Sequence, residues 1–160
     1  MNDTQKHFSS VNDFIADLLE MYKTLIEQPE GSDIKVMSIS TSAEDIADLL
    51  RAGENVNVIK FQELSFQQET LKHTGAYRVG IDVILILASN YNGIAKVADM
   101  AGKVIDITTD YVPTSDSYKV VDKNVGNINY GSVEKVEGFI FSSGALNVHY
   151  DIEVDAFGLR

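Results

Sequence analysis

The stretch YRVGIDVILILAS, residues 77 to 89, constrains the fold of this chain more than any other. Tyr77, Val79, Ile81, Val83, Leu85 and Leu87 fall on one side of an extended chain. Ile84, Ile86 and Ala88 make its second half apolar on the other side as well. A strand with two apolar faces must be covered on both, so it belongs inside a sheet and not at its rim. Gly80 within it is expected to mark a bulge or a close backbone approach.

An inner strand needs layers to cover it, and two segments have helical periodicity. Phe8, Val11, Phe14, Ile15, Leu18, Leu19, Tyr22, Leu25 and Ile26 follow the i, i+3, i+4, i+7 rule. They predict a helix over 8–28, capped by Ser9 or Ser10 and stopped by Pro29 and Gly31. Ile94, Val97, Ala98, Ala101 and Ile105 predict a second helix over 94–108, after the turn NYNG. A shorter helix opens at Ser42 with Asp45 in a capping-box arrangement, runs through Ile46, Leu49 and Leu50, and ends at Gly53.

The remaining segments alternate. IKVMSIS, residues 34 to 40, reads as a strand, and 110–118 as a loop around Pro113. The last forty residues read as strands, with 133–141 and 145–157 flanking SSG, a turn in which Gly144 supplies positive φ. In the final strand Leu146, Val148, Tyr150, Ile152, Val154 and Ala156 share one side, and Asn147, His149, Asp151, Glu153 and Asp155 the other. Residues 54–76 are strand-like but polar on both faces. They read as a hairpin or projecting arm and a candidate assembly element, with Val56, Val58, Phe61 and Phe66 as its apolar contacts. The expected fold is therefore a single α+β domain over 1–160: a mainly antiparallel sheet, two long amphipathic helices packed on one face, and a C-terminal β-hairpin.

Composition narrows the function. The 160 residues carry 24 acids against 13 bases, a formal net charge of -11, which repels nucleic acid and anionic membranes at long range. The absence of cysteine removes disulfides, thiolate metal sites and thiol nucleophiles together. The first ten residues lack the basic and apolar regions of a secretory signal, so cytoplasmic folding is the expectation. The longest apolar run, Val83 to Ala88, is six residues, far short of the roughly 18 needed to span a bilayer.

No catalytic motif stands out. There is no G-x-S-x-G elbow, no P-loop and no G-x-G-x-x-G, and His7, His73 and His149 lie in three separate contexts. The acidic row Asp151, Glu153 and Asp155 has i, i+2 spacing, about 6.8 Å between Cα atoms, which suits either a solvated wall or part of a divalent-cation site. The wall is the reading adopted. The rival is a small metal-dependent hydrolase using Asp151, Glu153, His149 and Asp82. Phe139, Phe141, Tyr150 and Phe157 lack the basic groove of a nucleic-acid platform, and Phe139 and Phe141 or Tyr150 are expected as core and cross-strand packing. No catalytic, cofactor-binding or metal-ligating residue is assigned.

The order of elements, carried by VNDFIADLLEMYKTLIEQ, YRVGIDVILILAS, IAKVADMAGKVIDI and ALNVHYDIEVDAF in an acidic, cysteine-free chain, resembles the tail terminator (tail completion, or tail-to-head joining) proteins of tailed bacteriophages. The resemblance implies a structural virion protein without enzymatic activity or cofactor. Such a protein forms a homo-oligomeric ring, expected as a hexamer, that caps the tail tube and joins it to neck and head-completion proteins. DNA would pass through without specific binding, and assembly would occur in the host cytoplasm without a membrane partner. Asp151, Glu153 and Asp155 would face the channel or the outer rim. Another head-tail connector or a baseplate component, or a monomeric ligand-binding module, are the alternatives.

Overall fold

The computed structural model describes residues 3–38, 43–53, 55–67, 76–90, 94–130, 134–136 and 139–155. In chain order these form α1 (Asp3–Tyr22), β1 (Ile34–Met37), α2 (Ala43–Arg51), β2 (Asn55–Gln67), β3 (Ala76–Asn90), α3 (Ile94–Asp110), β4 (Lys119–Tyr130), β5 (Glu134–Val136) and β6 (Phe139–Asp155). The strands make one sheet in the order β1-β2-β3-β6-β4, with β5 pairing β6 off this path. β3 is thus the middle strand, as its two apolar faces require.

The class is α+β, but the expected arrangement of two long helices on one face of a mainly antiparallel sheet is corrected. Among the described residues there are three α-helices, and the sheet is mixed because β1 runs parallel to β2. The helices also divide between the two faces. α1 and α3 cover one face, burying Phe14, Leu18, Tyr22, Met100 and Val104 against Val79, Ile81, Leu85, Leu146, Tyr150 and Ile152. α2 lies on the opposite face, where Leu50 meets Val56, Val58 and Ala88, with Ile46, Leu49 and Ile86 alongside. Ile86 and Ala88 are apolar because α2 needs a floor there.

α1 starts at Asp3, ahead of the expected Ser9 or Ser10 cap, so both serines are within the helix. Its buried residues Phe14, Leu18, Tyr22 and Ile26 recur every four positions, which outruns a 3.6-residue turn and would carry the stripe around the helix. The chain answers with a π-helical turn, Lys23–Glu27, closed by the Gln28 N–H donating to the Lys23 carbonyl at 3.0 Å. The wider turn rotates less per residue and keeps Ile26 in the core, 4% exposed. Gly31, at φ 79°, then reverses the chain toward β1.

α3 sits rotated from the expected stripe. It buries Val97, Met100, Ala101, Val104 and Thr108, while Ile94 is 51% exposed. Two overlapping apolar stripes run along this helix, and the sheet selects the one carrying Thr108. The Thr108 hydroxyl donates to the Val104 carbonyl at 2.7 Å and lies 2.6 Å from the Tyr22 hydroxyl, joining α1 to α3 inside the core.

Two further expectations are corrected by pairing. SSG is no turn: β6 runs straight through Ser142, Ser143 and Gly144, which pair with Ser89, Ala88 and Leu87 of β3. The small residues serve packing, since a Cβ on Gly144 would stand 3.1 Å from Val97 Cγ1 of α3. The hairpin is instead β5–β6, with Val136 opposite Phe139. Nor do residues 55–67 project as an arm. They form β2, of which 55–58 lie between β1 and β3 and 59–67 pair with β3 alone, with a bulge between Phe61 and Glu63 and none at Gly80. Residues 68–75, the rest of the expected arm, lie outside the described residues.

Candidate functional site

β6 divides the molecule. Leu146, Val148, Tyr150, Ile152 and Val154 are all buried beneath α1 and α3. By strand alternation Asn147, His149, Asp151 and Glu153 stand on the other face, beyond the ground covered by α2. Register fills in their neighbours. Asp82 of β3 is directly opposite His149, and Arg78 opposite Glu153. On the far side Asn124 of β4 pairs with His149, Asp122 with Asp151, and Lys119 with Glu153.

At its centre is a carboxylate–imidazole–carboxylate chain. His149 Nδ1 is 2.6 Å from Asp82 Oδ1, and His149 Nε2 is 3.0 Å from Asp151 Oδ1. The side chains of His149 and Asp82 are 38% and 45% exposed, and that of Asp151 only 20%. The hydrogen bond to Asp82 is the largest influence on His149 and raises its pKa above the ordinary 6.5; burial opposes this and Asp151 adds to it. A shallow hollow of about 330 Å³ opens here, lined by Asp82, Asn124, Gly126, Asn147 and His149.

Of the four residues named for metal-dependent hydrolysis, the structure brings Asp82, His149 and Asp151 into contact and leaves Glu153 two positions along the strand. Both imidazole nitrogens are directed at carboxylates, so neither offers a free lone pair to a cation. Among the described residues no group of three or more acids and histidines is placed to hold a metal. Of the acidic row, Asp151 and Glu153 share this face, and Glu153 is 9% exposed. Asp155 ends β6, pairing with Ala76, and its side chain lies outside those described. Val56 and Val58, named as arm contacts, are instead buried under α2 at 0% and 5% exposure, and Phe61 packs against the main core. The side chain of Phe66 lies outside the described ones.

Asp122 and Asn124 were missed by sequence reasoning. The i, i+2 spacing of two polar residues in DKN was their signal, but it has meaning only once β4 is known to lie beside β6. A second polar group was missed altogether, at the other end of the sheet. Lys96 of α3 bonds Asp33 at 3.0 Å and holds its carboxyl below the usual range. Asp33 in turn accepts from Asn55 Nδ2 at 2.9 Å, and Asn55 Oδ1 accepts from the buried Ser89 hydroxyl at 2.6 Å. This chain fastens the start of β2 to the loop before β1. It flanks a cleft of about 570 Å³ lined by Leu25, Pro29, Ile34, Lys96, Lys103 and Ile107.

No protein-family model matches this chain, and no curated protein matches it either. The geometry of the open face is therefore what bears on function.

Proposed function

We propose that this chain is a structural virion protein of a tailed bacteriophage, forming a ring that caps the tail tube and joins it to the neck, and that it is not an enzyme. The observation that carries this reading is the state of the acids on the open face. Asp82 and Asp151 are both engaged with His149, at the edge of a hollow that is shallow and open. A catalytic carboxylate needs a substrate or a proton to reach. A wall needs only charge held in place. The net charge of -11 adds support, because a polyanion passing a negative surface is not retained. In this reading the partners are further copies of the chain, the tail tube and the neck, and the protein resides in the virion after assembly in the host cytoplasm. Among the described residues no helix is long and apolar enough to cross a membrane.

Electron microscopy of the purified protein, alone and mixed with tail tubes, tests the proposal. Rings with a central channel, free or seated on tube ends, are expected. A protein that stays monomeric by light scattering at high concentration and leaves tube ends bare would overturn it. Titration calorimetry with magnesium, manganese and calcium tests the enzymatic rival. Submicromolar binding lost in Asp151→Asn would establish that rival instead.

A further inference from the structure

We propose that His149 is a proton-operated clamp on the open sheet face, tying Asp82 of β3 and Asp151 of β6 together as an imidazolium and releasing Asp151 when the proton leaves. The inference concerns the same face as the proposed wall but does not depend on the ring.

The geometry comes first. An ionised carboxylate only accepts hydrogen bonds, so a histidine bonded to two of them must donate from both nitrogens. Nδ1–H donates to Asp82 at 2.6 Å and Nε2–H to Asp151 at 3.0 Å, and only the cation carries both protons. A neutral ring keeps one donor. The shorter bond, to Asp82, retains it, leaving the Nε2 lone pair facing the Asp151 oxygen, two acceptors with no proton between them. Asp151 must then turn away from the ring, while Asp82 stays bonded.

The surroundings leave the decision to this trio. On β6, Glu153 stands in register with Arg78 of β3. On β4, Lys119 stands in register with Glu153 and Asp122 with Asp151, and Asn124, directly beside His149, is neutral. On β2, Lys60 stands in register with Ile84 of β3, and the side chain of Glu63, in register with Asp82, lies outside those described. Lys123 of β4 is committed elsewhere, donating to the Thr109 carbonyl of α3 on the other face. Among the described groups, Asp82 and Asp151 are the ones bonded to the ring, and these two carboxylates are what hold the proton. Loss of that proton turns a trio of net charge minus one into one of minus two. The face becomes more acidic as the cross-strand tie is cut.

The test is nuclear magnetic resonance on the full chain labelled in its histidines, with His149 assigned by the signal missing from His149→Gln. Below the midpoint both ring nitrogens are expected at shifts of protonated nitrogen; above it, Nδ1 stays protonated and Nε2 does not. The midpoint should lie above that of free histidine, fall in Asp82→Asn and fall less in Asp151→Asn. Amide spectra report whether each variant is folded, and the wild-type nitrogen shifts decide the matter even where a variant is not. A wild-type midpoint at or below the free-histidine value, a neutral tautomer protonated on Nε2, or folded carboxylate variants with an unmoved midpoint would overturn the clamp.

Discussion

Two hydroxyls and one amide show how single polar atoms are treated in this interior. Tyr118 buries its ring edge-on to Phe14, with centroids 5.4 Å apart, and sends its hydroxyl out to donate to Asp17 Oδ2 at 2.7 Å. Burial, with Asp17 second, pushes its pKa above the tyrosine range. Tyr118→Phe keeps the ring contact and loses the bond to a charged acceptor. Because water can reach Asp17, a loss of about 1 kcal/mol is expected in urea denaturation. Tyr150 is less well served: it feels Tyr22 electrostatically and its pKa is driven upward mainly by burial, yet its hydroxyl makes no well-formed hydrogen bond. Asn57 is the extreme case, 0% exposed with neither side-chain amide atom hydrogen-bonded to protein. Asn57→Leu, of similar shape, should raise stability by about 1–3 kcal/mol in the same assay, since an unpaired polar group in the core costs about that much. His149 works in the opposite sense, as a group whose folded state holds its proton more tightly than the unfolded chain. Its stabilising contribution is complete below the unfolded pKa near 6.5 and is lost as pH rises through the higher folded value. The stability difference between wild type and His149→Gln should therefore shrink on going from pH 6 to alkaline conditions, roughly the range that linkage marks out.

At the level of elements, the sheet is limited by how its outer strand is held. β4 follows β6 with two register shifts, between Val120 and Asp122 and between Val125 and Ile128. Such bulges twist an edge and discourage it from adding a stray strand. Gly126 sits in the second shift, where a Cβ would stand 2.9 Å from the backbone oxygen of Asn147 on β6. A backbone neighbour cannot swing aside, so Gly126→Ala should cost about 1–3 kcal/mol and lower hydrogen-exchange protection in β4 before that in β3. Local pattern was a good guide where an element has one job. The spacing of Phe14, Leu18 and Tyr22 gave α1, and the double-sided run from Val83 to Ala88 placed β3 in the interior. It failed where the same residue types serve two ends. Ser142, Ser143 and Gly144 look like a turn, but Gly144 is small because Val97 of α3 packs upon it.

For the whole molecule, the excess of acids governs the electrostatics. A formal charge of -11 repels itself, and at low salt the repulsion reaches across much of the chain, with a Debye length of about 30 Å at 0.01 M against about 8 Å at 0.15 M. Raising sodium chloride over that range should lift the melting temperature by roughly 2–4 °C, the shift that about 1 kcal/mol produces in a chain of this size. A fall would mean that favourable pairs such as Lys96–Asp33 outweigh the general repulsion. The same excess bears on assembly: a ring would bring these charges closer together, so subunit association should be favoured by the same rise in salt.

The candidate site divides the two kinds of information cleanly. Sequence alone determined that residues 147 to 155 have an apolar side and an acidic one, because the two-residue period of an extended chain is a local property that needs no partner. It also determined that the molecule is acidic and free of thiols. Only the tertiary structure decided that Asp82, 67 positions away, meets His149, that α2 takes the face opposite α1 and α3, and that β2 is an inner strand. Each of these depends on strand register and helix docking. A shift of one residue in pairing would have turned the same acids inward, and that choice is made by all the strands together.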